Sequence, residues 1–494
     1  MPQSIEISLV SHTNVGKTTL ARTLLGRDVG EVRDAAHVTR SADIHEMIAT
    51  PKGDCLLLWD TPGFGDSARL AGRLARSGNP LGWFLSQVWD RYRDRAFWSS
   101  QMAVRNVRDH ADIILYLVNA SENPEDAAYV ASEMQVLDWI GKPVIVLLNQ
   151  LGPPRPADQE EVDVERWRSH LAGVGGVRRV LAFDAFARCW VQETVLLRAL
   201  GEVVPSAKRG AFDDLSSLWL SRRRAVFEES IGQLAGRIAR AALDREVIDE
   251  GAWAGRLNAL GAALGLRRED DDSPRRRAMR ALATRLDEDI LISSNRLISL
   301  HGLDGQARAE ILTRLADHYA VREPLSEGRA AALGGVVTGA LAGLKADLAS
   351  GGLTFGAGLL VGGVLGALGA AGLARGYNLV RGSGATILTW TDAVLEELVV
   401  SALLAYLAVA HYGRGRGDWA PSEYPAHWQE TVLSALAARK EVFGKAWSQR
   451  ADAGAAGALE SDLRRTMAET ARDVLRRLYP GTVVDPDPLA PGSM

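Results

Sequence analysis

Ser11-His12-Thr13-Asn14-Val15-Gly16-Lys17-Thr18-Thr19 decides the reading of this chain, because it directly follows an apolar strand, Ile5 to Val10, and leads into a helical pattern. A strand that turns through glycine into Lys-Thr is built to hold phosphate. The backbone N–H groups of Thr13, Asn14, Val15, Gly16, Lys17, Thr18 and Thr19 can surround a β-phosphate, Lys17 can neutralise the β/γ oxygens, and the Thr18 hydroxyl can take a Mg²⁺ position. Such loops usually open on glycine. Ser11 stands there instead, so the first turn must tolerate a Cβ.

Further signals follow in order. The apolar run Cys55-Leu56-Leu57-Leu58-Trp59 delivers Asp60-Thr61-Pro62-Gly63, where Asp60 can hold Mg²⁺ through water and the Gly63 N–H can reach a γ-phosphate. Between the two motifs, Val38-Thr39-Arg40 precedes the strand Ile44 to Ala49, and Thr39 reads either as a second hydroxyl ligand of Mg²⁺ or as an ordinary loop threonine. The metal set is therefore Thr18, Thr39 and Asp60.

Lys17-Thr18, Thr39-Arg40, Asp60-Thr61-Pro62-Gly63 and Asn149, in this order and approximate spacing, resemble the translation-factor-related P-loop GTPases, and within them the bacterial Era/TrmE-like branch. The resemblance covers about the first 200 residues. It implies hydrolysis of GTP to GDP with Mg²⁺, catalysed by Lys17, Asn14 and Thr39 without a nucleophilic side chain. Asn14 sits where potassium-activated members of that branch help hold K⁺ beside the phosphates, a cation that offsets charge developing between them. The alternative for Asn14 is a turn residue tolerant of unusual backbone angles. Phe64 occupies the place where a glutamine orients water in other GTPases, which implies slow turnover unless K⁺, a partner or dimerisation completes the site.

The base-recognition segment departs from the resembled pattern. Asn149-Gln150-Leu151-Gly152 replaces Asn-Lys-x-Asp, so Gly152 has no carboxylate for the N1 and N2 donors of guanine. In Asp184-Ala185-Phe186 the resemblance is confined to Ala185; a backbone N–H of that loop can still read guanine O6, while Phe186 can stack on the base. GTP is the expected nucleotide, and ATP or relaxed specificity stays open.

With 494 residues, 47% hydrophobic content and 24% charged residues, the chain is globular, with room for two or three domains. A net charge of −4 argues against broad electrostatic capture of nucleic acid. Cys55 and Cys189 make neither a disulfide framework nor a zinc pattern, and the first strand begins too early for a signal peptide. The expected location is the cytoplasm, extending to the inner membrane if the apolar region described below inserts.

The fold expected is an α/β P-loop GTPase domain with a doubly wound, mostly parallel sheet over residues 1–204, followed by a large all-α region. That region divides into helices at 205–329, a Gly-rich apolar hairpin at 330–382, helices at 383–478 and a flexible tail at 479–494. An insert at about 66–110 carries Trp83, Trp89, Tyr92 and Trp98 among arginines, read as helix packing in preference to a grip on RNA. In the hairpin, Gly335, Gly339 and Gly343, then Gly358, Gly362 and Gly366, recur at four-residue spacing and strip one helix face of side chains. No charge falls between Asp347 and Arg375, enough for about 40 Å of helix, so both a soluble, tightly packed hairpin and a membrane-inserting one remain open. Ile387 to Ala410 reads as another apolar helix, buried on one face, and Trp428, Leu433, Leu436, Val442, Phe443 and Trp447 as a core side.

The function expected is a nucleotide switch for the helical module, with guanine nucleotide as ligand and a membrane, a membrane protein or a second copy as partner. Two alternatives stand beside it: a nucleotide-gated ribosome or RNA factor, and an assembly protein with negligible turnover.

Overall fold

The computed structural model describes residues 2–26, 42–65, 67–74, 95–152, 154–185, 189–248, 274–303, 377–381, 386–412, 425–450, 456–482 and 484. These fall into two compact units, Met1–Ala225 with Ala410–Trp419 and Leu475–Met494, and Val226–Val409 with Ala420–Val474.

The first unit is organised by six strands: β1 (Ser4–Ser11), β2 (Asp43–Ala49), β3 (Cys55–Asp60), β4 (Ile113–Asn119), β5 (Val144–Asn149) and β6 (Val177–Ala182). Their order is β2-β3-β1-β4-β5-β6, and every pairing is parallel except the β2–β3 hairpin. Alternation fills both faces. Ile114, Tyr116 and Val118 of β4 enter one core with Val146 and Trp167, whereas Ile113, Leu115 and Leu117 enter the other with Ile7, Leu20, Phe183 and Trp219. Helices α1 (Lys17–Leu25), α2 (Ser67–Leu74), α3 (Arg95–His110), α4 (Ala128–Ile140), α5 (Ala157–Leu171) and α6 (Trp190–Val203) accompany these strands, and a 3-10 turn leads to α7 (Arg209–Leu243). Phe97, Val104 and Val107 of α3 lie in the core; of the aromatic residues singled out in the insert, Trp98 is half-buried, and Trp83, Trp89 and Tyr92 lie outside the described residues.

β1 has β3 on one side and β4 on the other, so the strand order reverses there. Ligands of open parallel sheets bind at such a point, beyond the carboxyl ends of the strands. The register aligns Leu9 with Asp60, Ser11 with Leu117 and Asn119 with Asn149, which gathers the motif residues along one edge.

The second unit is largely helical. It holds the later part of α7, then α8 (Pro274–Leu300), α9 (Asp392–Ala410), α10 (Ala426–Ala437), α11 (Lys440–Gln449) and most of α12 (Ala456–Leu478). Leu282, Leu286, Ile290 and Leu297 of α8 are buried, at four- and seven-residue intervals that put them on one helix face. A three-stranded antiparallel sheet, β7 (Glu246–Ile248), β9 (Thr386–Trp390) and β8 (Tyr377–Arg381), adds to the helices and was not foreseen.

The structure departs from the sequence pattern in four places. Ile387–Trp390 is strand, because Thr386, Leu388 and Trp390 alternate inward and Thr391 then caps α9 by accepting the Val394 N–H at 3.3 Å. The α9 helix is buried around most of its circumference from Leu398 onward, where one buried face was expected. On α10 and α11, Trp428, Leu436, Phe443 and Trp447 are buried, but Leu433 and Val442 are 43% and 46% exposed. Of the stretch 330–382 read as a helical hairpin, residues 377–381 form β8 and the rest lies outside the described residues. Among the described residues α9 is the helix long and apolar enough to cross a bilayer, and 78% of its apolar window is buried within the chain.

Residues 475–482 and Val484 return to the first unit. There Tyr479 stacks on His411 and feels Cys189 and Glu160, and Val484 is buried.

Candidate functional site

At the end of β1 the chain turns sharply, with Asn14 at φ 63° and Gly16 at φ 96°. Ser11 keeps the strand conformation and takes no positive φ, which is why a Cβ fits where glycine was anticipated. Lys17 opens α1, and the Leu20 N–H bonds back to the Gly16 carbonyl at 2.9 Å. The turn therefore presents a helix amino terminus, a ready seat for an anion.

Lys17 is buried and its Nζ donates to Ser11 Oγ at 2.9 Å and to the His12 carbonyl at 3.4 Å. Burial lowers its pKa below the ordinary lysine value, against the pull of the Asp60 and Glu133 carboxylates. A phosphate placed here would meet an ammonium that has already lost its water. Thr18 Oγ1 donates to Asp60 Oδ2 at 2.6 Å, joining the two motifs. The other oxygen, Asp60 Oδ1, is buried without a hydrogen-bond partner, and burial raises the Asp60 pKa above the ordinary carboxylate value despite the Thr18 bond and the nearby Lys17. An orphaned carboxylate oxygen beside a hydroxyl suits a small divalent cation. Thr39, with Val38 and Arg40, lies outside the described residues, as does Phe186.

The segment after Asp60 lies on the loop. Thr61 Oγ1 donates to the Leu9 carbonyl at 2.5 Å, the Phe64 N–H donates to the Ser11 carbonyl at 3.0 Å, and His12 and Phe64 form a parallel bridge. Gly63 is buried so closely that a Cβ there would stand 3.0 Å from both Lys17 Nζ and Thr13 Cα. The Phe64 ring is fully buried in the core and offers no group to water.

On the opposite side, Asn149 clamps three segments. Its Nδ2 donates to the Val15 carbonyl at 2.7 Å, its Oδ1 accepts the Ala185 N–H at 2.8 Å, and Thr23 Oγ1 donates to the Ala185 carbonyl at 2.8 Å. Gln150 takes a left-handed φ of 59° immediately afterwards, and Gly152 one of 84°. Thus Asn149, Gln150 and Ala185 are brought together with Val15 and Gly16, whereas Asn14 is exposed and Thr19 is buried on α1.

Two carboxylates of the site went unread in the sequence. Asp184, 5% exposed, accepts the Leu151 N–H through Oδ2 at 2.6 Å, so the base-side loop does carry a buried carboxylate although Gly152 has none. Glu133 is fully buried beside the phosphate loop. Its sign was available: it falls three residues after Val130 and four before Leu137, on the apolar stripe of α4.

Family comparison gives two matches. Residues 6–150 match the model for 50S ribosome-binding GTPase, and residues 175–479, more than half of the chain, match the domain of unknown function DUF3482. GTPase Era of Heliobacterium modesticaldum is 28% identical over 145 residues, which cover 29% of this chain and 39% of that protein. The chain thus spans well under half the length of this curated relative. Among solved structures, a variant of Aquifex aeolicus Era bound to GDP and aluminium fluoride gives a TM-score of 0.31 at 19% identity, covering 41% of this chain and 58% of that one. Era in complex with MgGDPNP and a segment of 16S ribosomal RNA gives 0.31 at 20% identity, with coverage of 42% and 58%.

Proposed function

We propose that this chain, which belongs to the DUF3482 family and carries an Era-like P-loop GTPase domain ahead of that region, binds GTP with Mg²⁺ and hydrolyses it to GDP as a switch for its helical part. The observation that carries the reading is the meeting of Lys17, the Thr18–Asp60 pair with its orphaned Oδ1, and Gly63 at one sheet edge. Backbone N–H groups from Thr13 to Thr19 cradle the phosphates, and Lys17 stabilises charge on the β/γ oxygens. Thr18 and Asp60, with Thr39, hold Mg²⁺, which when bound neutralises charge on the phosphate oxygens. The Gly63 N–H reports on the γ-phosphate. Water is the nucleophile, and with Phe64 buried the intrinsic rate is slow.

Asn14 helps a K⁺ ion offset charge between the phosphates, which its exposed, left-handed position at the loop tip allows. Turnover of GTP in potassium is expected to exceed that in sodium by about tenfold or more. Equal rates in the two salts remove this role from Asn14.

On the base side, Asn149 holds Val15 and Ala185 together, and Asp184, whose Oδ2 already carries the Leu151 N–H, is the carboxylate assigned to the guanine N1 and N2 donors. Replacing Asp184 by alanine is expected to lower the preference for GTP over ATP by about tenfold or more, the usual weight of a hydrogen bond to a charged acceptor. Competition of ATP and GTP against a fluorescent GDP measures it. An unchanged preference reduces Asp184 to a cap on the Leu151 N–H.

The switch acts on the DUF3482 region at a membrane, on a membrane protein or on a second copy. Cosedimentation with liposomes in GDP and in a GTP analogue tests the first of these, with equal and negligible recovery in both as the outcome against it.

A further inference from the structure

We propose that Glu133 is a positioning residue that ties the phosphate loop to the start of α2, so that the place of that helix and the loop's grip on nucleotide are set together; this rests on the nucleotide reading above.

A fully buried carboxylate persists only where its charge is satisfied. Glu133 has three donors from three separate elements. His12 Nδ1 meets Oε1 at 2.8 Å from the phosphate loop, Ser67 Oγ meets the same oxygen at 2.8 Å from the first residue of α2, and the Tyr116 hydroxyl meets Oε2 at 2.6 Å from β4. Because the carboxylate can only accept, Nδ1 of His12 is the protonated nitrogen in this contact. Ser67 Oγ also stands 3.5 Å from His12 Nδ1, closing a triangle. Tyr116 belongs to the central sheet and Glu133 to a helix packed on it. His12 and Ser67, by contrast, belong to the two segments that meet nucleotide.

Each of those two segments is held at Glu133 by one side chain, and each is then held to the other by backbone. The His12 ring stacks on Tyr129 with centroids 4.4 Å apart, and the Tyr129 hydroxyl is fixed by Glu122 at 2.9 Å. With the ring fixed, the His12 carbonyl that accepts from Lys17 is fixed as well. The chain after Asp60 is held at Thr61 by the Leu9 carbonyl, at Phe64 by the Ser11 carbonyl and at Ser67 by Glu133, and Gly63 leaves no room for a side chain against Lys17. A shift of α2 withdraws Ser67 and leaves a buried carboxylate short of one donor while it still holds the loop. Through Glu133, a γ-phosphate that moves Gly63 and Ser67 changes the seat of Lys17, and the reverse holds by linkage.

Fluorescent GDP and a fluorescent non-hydrolysable GTP analogue, titrated into the full chain with Mg²⁺, test this. Ser67→Ala is expected to change the ratio of the two affinities by about fivefold or more, and Ser67→Thr, which keeps the hydroxyl, to restore it. Tyr116→Phe removes a donor that sits on the sheet, and it is expected to lower Tm with the ratio unchanged. The inference is overturned if Ser67→Ala leaves the ratio at its wild-type value, or if Tyr116→Phe moves it as far. Failure of the wild-type chain to bind either probe overturns the proposed nucleotide site, and this inference with it.

Discussion

Lys17→Ala removes nucleotide binding at any concentration near the wild-type Kd, with the loss in affinity about a thousandfold. The magnitude follows from electrostatics: one charge pair at about 4 Å and an effective dielectric constant of about 20 is worth about 4 kcal/mol. Lys17 deserves the full figure because it is buried and already stripped of water, held at the mouth of the loop by Ser11 Oγ and the His12 carbonyl. An exposed lysine would deliver far less, since solvent screens it. The measurement is a titration of fluorescent GDP and GTP into both proteins, with circular dichroism showing that the variant is folded. A variant that binds within tenfold of wild type places the phosphates elsewhere.

Gly16→Ala is expected to lower stability by about 3 kcal/mol and to weaken nucleotide binding along with it. Two effects add. A backbone φ of 96° costs an alanine about 1–2 kcal/mol, and the new Cβ would stand 2.7 Å from Asn149 Nδ2, closer than side chains tolerate. Asn149 cannot simply swing away, because its Nδ2 is bound to Val15 and its Oδ1 to Ala185. Displacing it breaks buried hydrogen bonds at about 1–3 kcal/mol and parts the loop from the segment after β6. Gly152→Ala offers the comparison: its φ of 84° carries similar strain, but nothing lies within 4 Å of the new Cβ. Urea unfolding of the two variants separates strain from collision. Equal losses would show that the Asn149 clamp yields without cost.

The nucleotide-domain strands were legible because each is a short apolar run ended by a motif residue, and the motifs come in one order. Lys17, Thr18, Asp60 and Gly63 were legible for the same reason, since their spacing along the chain mirrors their meeting at the sheet edge. Ile387–Trp390 was misread because a short apolar run has no period of its own that separates strand from helix. Its partners Glu246–Ile248 and Tyr377–Arg381 lie in other parts of the chain, and local pattern carries no record of such pairing. Glu133 and Asp184 escaped because an acidic residue is read as solvated by default, and only tertiary neighbours such as Tyr116, Ser67 and Leu151 reveal otherwise. Gln150 is a further case. Nothing in glutamine's preferences announces a left-handed residue, so the strain at the end of β5 is visible only in the fold.

The return of residues 475–482 and Val484 to the first unit means that the nucleotide domain is not a contiguous piece of chain. On the ribosome, at about 5–20 residues per second, its opening strands wait tens of seconds for Tyr479 and Val484 to emerge. Excision at residue 204 or 225 would remove Tyr479 and Val484 from that unit, so a recombinant fragment ending there is a poorer proxy for the protein than its sheet alone suggests.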